Sequence, residues 1–354
     1  MLFNPLTVGA LTLPNRFVLA PLTRTRAGTE HIPNALMAEY YAQRASGGLL
    51  ITECTMVSEG TSAFIAEPGI YSSEQVAAWR QVTDAVHAKG GRIFMQIWHA
   101  GRAAHPDING GQRTVSASAI AIDGDIHTPG GKVPHAVPHA LGTQEIADIV
   151  AAFAQGAKNA IAAGFDGVEV HGANGYLIDQ FLRDGANQRT DSYGGSVENR
   201  ARFLFEILAA VSAAIGSERV GLRLSPLNSY NSMRDSDPVG LITFLAERLN
   251  DYKLAYLHLM RADFFGQQKA DVMTVARAKY KGVLIGNMGY TAAEAEQAIR
   301  DGQLDAVAFG NAYIANPDLP ERVRAGAALN TPDQSTYYTP GAKGYTDYPV
   351  LKAA

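Results

Sequence analysis

Eight short apolar runs recur along the chain, and a segment with helical features follows each of them. The runs span residues 16–20, 48–53, 92–98, 167–171, 220–225, 255–260, 282–286 and 305–310. Several, such as GLLIT and DAVAF, are apolar almost without interruption. This pattern is typical of strands buried on both faces of a parallel sheet, because helices cover such a sheet.

The segments between the runs carry several kinds of helix signal. In a capping box, a hydroxyl and a side-chain carbonyl satisfy backbone N–H groups of the first turn. An Asp or Asn before proline places a cap ahead of the first helical residue. Residues 145–163 and 197–215 repeat apolar side chains at intervals of three and four, so both should pack against the sheet. The predicted caps are Ser72 with Gln75, Thr291 with Glu294, Asp237 before Pro238, and Asn316 before Pro317.

Eight strand-then-helix units in one chain predict an α/β fold, a (β/α)8 TIM barrel. An open doubly wound sheet is the alternative, but no Gly-x-Gly-x-x-Gly turn follows an early run. A length of 354 residues allows two domains. Because the runs extend from end to end, we expect one domain over residues 1–354.

The connection after the third run, residues 99–142, is long for a compact domain. It holds seven glycines, four prolines and five of the nine histidines. Loops of this length usually cover or bind something, so we expect an inserted capping segment, a lid over the barrel mouth. Its His135 and His139 are four apart, but Pro138 argues against a helical metal pair. No metal site is expected.

Composition limits the partners of the chain. There are 30 Lys and Arg against 34 Asp and Glu, a net charge of −4, and no basic block to follow a nucleic-acid backbone. Cys54 is the only cysteine, which excludes an internal disulfide. No stretch approaches 18 uninterrupted apolar residues, and the N-terminus lacks a secretion signal. We expect a cytoplasmic monomer or homodimer that binds neither nucleic acid nor membranes.

Reactive groups in a TIM barrel lie at the C-terminal ends of its strands. No lysine ends a run, which argues against a Schiff-base aldolase. The first run lacks a His-x-His pair, which argues against a metal-dependent hydrolase. The candidate residues at these ends are Thr23, Glu53, Cys54, Gln96, Trp98, His99, His171, Asn174, Tyr176, Arg223, His258, residues 286–289, Gly310 and Asn311.

The most informative stretch begins at His171. His171 and Asn174 are three apart in a turn, so both can direct N–H donors at one point. Two such donors would hold a carbonyl or nitro oxygen and stabilise negative charge developing on it. Tyr176 has a phenol that can donate a proton to a carbanion. The set suits chemistry at an activated double bond, although a histidine at a strand end is as often structural.

Glycines and one arginine point to a bound anion. Gly286, Gly289 and Gly310 leave backbone N–H groups open near two helix starts, where TIM barrels commonly bind phosphate. Ordinary turn glycines are the alternative. Arg223 stands alone in an apolar run, and a buried guanidinium needs an anion, a polarised ring or a barrel carboxylate.

Longer motifs extend along almost the whole chain. They are LFNPL (2–6), NR (15–16), APLTR (20–24), QIWHAGR (96–102), HGANGYLIDQF (171–181), RTDSYGGSVENR (189–200), IANPDL (314–319) and GYTDYP (344–349). Together with the residues above, they resemble the Old Yellow Enzyme family of flavin-dependent ene-reductases. The resemblance is strongest to its bacterial branch of N-ethylmaleimide reductases and pentaerythritol tetranitrate reductases.

The resemblance implies one domain that binds FMN non-covalently and takes hydride from NADPH or NADH. Thr23 would bind the flavin carbonyl beside N5, Gln96 the pyrimidine edge, and Arg223 the N1 side, where charge collects on reduction. The predicted cofactor-binding residues are Pro21, Leu22, Thr23, Cys54, Gln96, Arg223, Gly286, Asn287, Gly289, Phe309, Gly310 and Asn311, with Gly286, Asn287 and Gly310 around the phosphate.

The implied reaction is ping-pong reduction of activated C=C bonds in enones, enals, maleimides and nitroalkenes. His171 and Asn174 would bind the electron-withdrawing group, and Tyr176 would protonate the α-carbon while flavin N5 gives hydride to the β-carbon. The predicted substrate-binding residues are His171, Asn174, Tyr176, Trp98, Phe64, Phe264 and Tyr338. The alternatives are a hydroxy-acid oxidase or demethylase-like enzyme, a nitro or nitrate-ester reductase, and a flavin-free barrel that only binds ligands.

Some residues depart from the family pattern. Asn311 replaces an arginine that many relatives carry after Phe-Gly, which removes a guanidinium from the phosphate and predicts weaker FMN binding. Phe64, His139 and Phe264 stand where this branch often has tyrosine, arginine and tryptophan. These three changes bear on the range of substrates.

Overall fold

The computed structural model describes residues 1–351 and shows eight parallel strands closed into a barrel. Each strand pairs with the next along the chain, and the eighth pairs with the first, Val307 lying opposite Phe17. The predicted (β/α)8 TIM barrel is confirmed. The barrel strands are Phe17–Leu19, Leu49–Ile51, Ile93–Trp98, Gly167–Gly172, Val220–Leu224, Tyr256–Met260, Leu284–Asn287 and Ala306–Phe309.

Helices alternate with the strands and cover the barrel. They are α1 (Ala35–Gln43), α2 (Ser73–His87), α3 (Thr143–Ala162), α4 (Leu177–Leu182), α5 (Val197–Ile215), α6 (Pro238–Arg248), α7 (Val272–Lys279), α8 (Ala292–Arg300), α9 (Asn311–Ala315) and α10 (Leu319–Ala325). The predicted capping boxes at Ser72 and Thr291 form at α2 and α8. Asp237 caps α6, whose first residue is Pro238, as predicted.

The predicted cap at Asn316 before Pro317 is wrong. Helix α10 begins at Leu319 with Asp318 as its N-cap residue. The side-chain amide of Asn316 instead donates to the carbonyl of Ala312 at 2.8 Å, because the short helix α9 ends immediately before it. Asn316 therefore satisfies a backbone carbonyl in the last turn of α9, and Pro317 lies between the two helices.

Side chains inside the barrel form an apolar floor with a polar layer above it. Alternation along each strand sends every second residue inward; Phe94 packs with the inner cluster, whereas Met95 packs with the outer core. A hairpin of Leu6–Val8 and Leu11–Leu13 packs against the inner cluster at the N-terminal end of the barrel. The polar side chains consequently collect toward the C-terminal ends of the strands.

The segment 99–142 follows the third strand and folds into short elements. It contains a 3-10 turn at Gly101–Ala103 and an antiparallel hairpin of Asp125–Thr128 with Gly131–Pro134. Arg102 is buried beneath it and donates to the backbone carbonyls of Ile120 and Asn231, both at 3.0 Å. These bonds tie the inserted segment to the loop after the fifth strand.

No helix within residues 1–351 is both long enough and apolar enough to cross a membrane. The longest helix, α3, carries an apolar stripe that packs against the barrel and a polar face that meets solvent. The outer core between strands and helices contains most of the buried apolar side chains of the described chain.

Candidate active site

The barrel opens at the C-terminal ends of its strands into a cavity of about 1020 Å³. The loop after the second strand contributes Phe64, the turn after the fourth contributes Tyr176, and the C-terminal segment contributes Tyr338. The inserted segment supplies one wall, which includes Ile122 and His135. Four separate parts of the chain therefore meet around one opening, as expected for a TIM-barrel active site.

His171 lies at the end of the fourth strand, in register with Arg223. Its Nδ1 atom accepts a hydrogen bond from the backbone N–H of Ala173 at 3.3 Å, so the ring proton resides on Nε2. Burial, and then the charge of Arg223, hold the pKa of His171 well below its ordinary value. The ring is neutral and keeps one N–H donor for a ligand.

Asn174 adopts a left-handed backbone conformation with φ of 57°, which asparagine tolerates better than most residues. Its backbone N–H donates to Ser225 Oγ at 2.7 Å, and its side-chain Oδ1 accepts from Asn228 Nδ2 at 2.8 Å. With the oxygen committed, the Nδ2 group of Asn174 is the free end of the amide. His171 and Asn174 are thus both oriented as donors by neighbouring groups.

Tyr176 is 6% exposed and lines the cavity. Its ring packs edge-on against Trp98 at 5.0 Å and against His171 at 5.1 Å between centroids. Burial raises the pKa of the phenol well above its ordinary value, so the hydroxyl keeps its proton across the physiological range. Trp98 is fully buried and supports Tyr176 from the side away from solvent.

Thr23 and Cys54 meet at the ends of the first two strands, 3.2 Å apart from Oγ1 to Sγ. The neighbouring Glu53 is completely buried and accepts backbone N–H bonds from Arg24 and Thr25 at 3.1 and 3.3 Å. Burial raises the pKa of Glu53 to about 7, although those N–H groups and the arginine charges oppose it. Glu53 therefore fixes the loop that carries Thr23.

Arg223 and Gln96 project from the fifth and third strands into the polar layer. Arg223 is 6% exposed, and its Nη2 donates to Asn287 Oδ1 at 2.9 Å. Its Nε has no partner among residues 1–351. Gln96 donates from Nε2 to Glu169 Oε1 at 2.8 Å. A buried cation with an uncommitted donor, next to an amide that keeps its carbonyl, fits the electron-rich edge of a flavin.

The predicted phosphate residues lie at the ends of the seventh and eighth strands. Gly310 directly precedes α9, whose first residue, Asn311, is exposed. Gly289 has a φ of 71°, which favours glycine. The space around it is otherwise open, since a Cβ there would approach only the Arg261 side chain, at 4.0 Å. Gly286 differs, because a Cβ there would lie 2.4 Å from the Leu304 side chain, so the packing of the outer core requires this glycine.

The remaining predicted residues occupy different surroundings. Phe309 stacks on Phe17 in the outer core at 5.5 Å between ring centroids. Phe64 stacks on Tyr338 at the cavity wall, with centroids 6.1 Å apart and ring planes 12° apart. Phe264 is 47% exposed and packs edge-on against Tyr230 at the rim. Pro21 is buried in the loop after the first strand, and Leu22 is half-buried beside Gly310.

Sequence reasoning missed Ser225 and Asn228, which orient Asn174. Both lie just beyond the fifth strand, 51 and 54 residues from their partner. It also missed Glu169. This residue lies two positions before His171 in the fourth strand, and alternate residues of a strand point to the same face, so the sequence could have placed its side chain inside the barrel.

Comparison with known proteins agrees with this arrangement. The model of the NADH:flavin oxidoreductase / NADH oxidase family matches residues 1–330. A probable flavin mononucleotide-dependent alkene reductase of Leishmania infantum is 52% identical over 358 residues, covering 99% of this chain and 98% of the relative.

Solved structures of related proteins superpose closely on this chain. The old yellow enzyme from Trypanosoma cruzi superposes with a TM-score of 0.97 and 45% identity, covering 99% of both chains. Morphinone reductase in complex with tetrahydroNAD superposes with a TM-score of 0.94 and 46% identity, covering 99% of this chain and 98% of the other. The fold and the site define a flavin oxidoreductase barrel. The chain belongs to the NADH:flavin oxidoreductase family and, within it, to the Old Yellow Enzymes, which confirms the resemblance.

Proposed function

We propose that this protein is an FMN-dependent, NAD(P)H-consuming oxidoreductase that reduces activated C=C bonds in enones, enals, maleimides and nitroalkenes. The observation that carries the proposal is the set formed by the neutral ring of His171, the oriented amide of Asn174 and the protonated phenol of Tyr176. Two of its relatives, an alkene reductase and a morphinone reductase whose structure contains tetrahydroNAD, support it.

The three side chains divide the work on the substrate. His171 and Asn174 donate N–H bonds to the carbonyl or nitro oxygen, and they stabilise the negative charge that develops there. Tyr176 donates its phenolic proton to the α-carbon. When bound, FMN supplies the hydride that it has accepted from NADPH or NADH. Because the raised pKa keeps Tyr176 protonated, the proton is in place before the alkene binds.

The cofactor would be held without a covalent bond. Thr23 and Gln96 offer a hydroxyl and an amide to the polar edge of the flavin, and Arg223 offers its charge. Backbone N–H groups near Gly289 and Gly310 would hold the phosphate. Asn311 contributes no charge there, so we propose that backbone groups carry more of the phosphate binding than in relatives with arginine.

Two arrangements argue against the alternative reactions. A hydroxy-acid oxidase needs a strong base beside the flavin, but His171 has a lowered pKa and its Nδ1 already accepts a backbone N–H. A barrel that only binds ligands has no use for an oriented donor pair beside a buried phenol. Nitro and nitrate-ester groups offer the same acceptor oxygens as a carbonyl, so we propose them as further substrates.

We also propose that residues 1–351 form one FMN-binding domain, with residues 99–142 as a lid over the site; residues 352–354 of the predicted domain lie outside the described residues. The inserted segment supplies cavity wall residues such as Ile122 and His135, and Arg102 ties it to the loop after the fifth strand. A lid in this position would exclude water while hydride and proton are transferred.

Anaerobic steady-state assays test the proposal. Purified protein supplied with FMN should oxidise NADPH or NADH when cyclohexenone is present, and lactate-like hydroxy acids should not reduce its oxidised flavin. Protein that stays colourless after FMN is added, and leaves the nicotinamide reduced with every enone, would refute the function. Comparing NADPH with NADH at equal concentration decides which one serves as donor.

A further inference from the structure

The polar layer inside the barrel contains a buried cluster that the proposed reaction does not use. Glu169 and His258 are completely buried, and His258 Nδ1 lies 2.8 Å from Glu169 Oε2. The other carboxylate oxygen, Oε1, accepts the Nε2–H of Gln96 at 2.8 Å. One carboxylate therefore joins side chains of the third, fourth and sixth strands.

Gly221 of the fifth strand lies between the strands that carry Glu169 and His258. It is in register with Glu169 on one side and with Tyr256 on the other. A Cβ at Gly221 would lie 2.2 Å from the ring of Tyr256, so the space above this glycine is already used. The Tyr256 ring occupies that space, and Glu169 contacts His258 from two strands away.

The contacts define the charges in the cluster. Burial opposes a charged Glu169, but the contact with His258, the charge of Arg223 and the Gln96 N–H outweigh it and lower the pKa of this carboxyl group. Burial lowers the pKa of His258, so its ring is neutral and Nδ1–H donates to the carboxylate. The negative charge of Glu169 consequently faces the positive charge of Arg223, and the two balance inside the barrel.

The amide of Gln96 is fixed by the same carboxylate. Rotating it by half a turn would replace an N–H donor with a carbonyl oxygen facing Glu169, which is repulsive. Its carbonyl and its second N–H are thus presented in one order. The pyrimidine edge of a flavin offers an N–H between two carbonyls, so it pairs only with an amide whose carbonyl and N–H are held in the matching positions.

We propose that Glu169 and His258 form a positioning pair that fixes the Gln96 amide and balances the charge of Arg223 at the floor of the flavin site. The inference rests on the proposed function, because Gln96 and Arg223 face the flavin only in an FMN enzyme. Neither member of the pair needs to touch the substrate.

The reduction potential of the holoenzyme tests the charge balance. In Glu169→Gln, the uncompensated charge of Arg223 should favour the anionic reduced flavin about tenfold, a shift of about +30 mV for a two-electron couple. The matched control is Asp318→Asn, which removes a mostly buried carboxylate paired with Arg322 at 2.8 Å on α10. An unchanged or more negative potential in Glu169→Gln would overturn the charge balance.

FMN dissociation constants test the positioning of Gln96. Glu169→Gln and Gln96→Leu should each weaken FMN binding several-fold, about the value of one hydrogen bond. The double variant should be no weaker than Gln96→Leu alone, because the pair acts through that amide. If the loss of FMN affinity in the double variant equals the product of the two single losses, Glu169 does not act through Gln96, and the positioning role is wrong.

If Glu169→Gln does not fold, two variants of His258 test the same pair. His258→Leu removes the donor to the carboxylate, whereas His258→Gln keeps one N–H. Loss of FMN affinity in the leucine variant with recovery in the glutamine variant supports the pair, and equal loss in both overturns it. Wild-type protein that binds no FMN would refute the proposed function instead, so the two failures are distinct.

Discussion

Asn228 donates its side-chain N–H to the side-chain carbonyl of Asn174 at 2.8 Å, and this bond leaves the Nδ2 end of the Asn174 amide as the free donor. Asn228 is itself held, because its backbone carbonyl accepts from buried Arg183 and its Oδ1 accepts the backbone N–H of Phe264. The orientation of the Asn174 amide is therefore set by a residue outside the cavity wall.

Removing the side-chain amide of Asn228 should weaken ligand binding without removing the flavin. In Asn228→Ala, Asn174 loses its orientation, and affinity for a para-substituted phenol should fall about tenfold. Titration with the phenol, followed by the charge-transfer band that a bound phenolate forms with oxidised flavin, measures this affinity. Asn228→Asp should fall at least as far, because a carboxylate repels Asn174 Oδ1. Wild-type phenol affinity in both variants would show that Asn228 does not orient the amide.

Tyr176→Phe should slow the reoxidation of reduced flavin by enones by a factor of about 10² to 10⁴, the usual value of a positioned proton donor. Reduction by the nicotinamide should be almost unaffected, because it requires no proton from this phenol. Stopped-flow measurement of the two half-reactions separates these effects. Tyr230→Phe, another tyrosine of the cavity wall, is the control. If Tyr176→Phe blocks the reductive half-reaction instead, the role assigned to Tyr176 is wrong.

Restoring a guanidinium at position 311 should strengthen phosphate binding. Asn311 is exposed at the first position of α9, so an arginine fits there without disturbing the core. Asn311→Arg should tighten FMN binding about tenfold and leave riboflavin binding unchanged. Asn311→Gln controls for side-chain length. Equal tightening of riboflavin would place the effect away from the phosphate.

Glu53 should make stability depend on pH. Its pKa of about 7 in the folded protein exceeds the ordinary value of 4.5 because it is buried. Between these values the folded protein keeps a proton that the unfolded chain releases, so stability falls as pH rises through this window. The free energy of unfolding should fall by about 3 kcal/mol across this window.

Urea unfolding of wild type and Glu53→Gln from pH 4 to 8 measures this contribution. The free energy of unfolding of the wild type, relative to Glu53→Gln, should decrease across the window and be flat above it. A relative stability that rises with pH would mean that Glu53 is charged in the folded protein throughout.

The sequence was sufficient to predict the barrel and to place the candidate site residues at the C-terminal ends of its strands. Eight apolar runs that alternate with helices predict a parallel barrel, and the ends of runs such as 220–225 then predict where its strands end. Asn316 was misassigned because the local Asn-Pro signal does not reveal that α9 ends one residue earlier. Gly286 was assigned to a phosphate site, but its contact with Leu304 shows that it also serves packing.

Contacts between distant segments could not be predicted. Asn228 meets Asn174 only because the loop after the fifth strand lies over the turn after the fourth, and no local pattern encodes that distance. Glu169 contacts His258 from two strands away, and no local pattern encodes that pairing either. Such contacts depend on register between strands, which closure of the barrel determines.

The most direct test of the account is the oxidative half-reaction of the protein-bound flavin. Wild-type protein loaded with FMN, photoreduced without oxygen and mixed with cyclohexenone, should recover the visible absorption of oxidised flavin as saturated ketone forms in equal amount. Flavin that stays reduced in excess enone, and is reoxidised only when oxygen is admitted, would contradict the central claim that this site reduces activated alkenes.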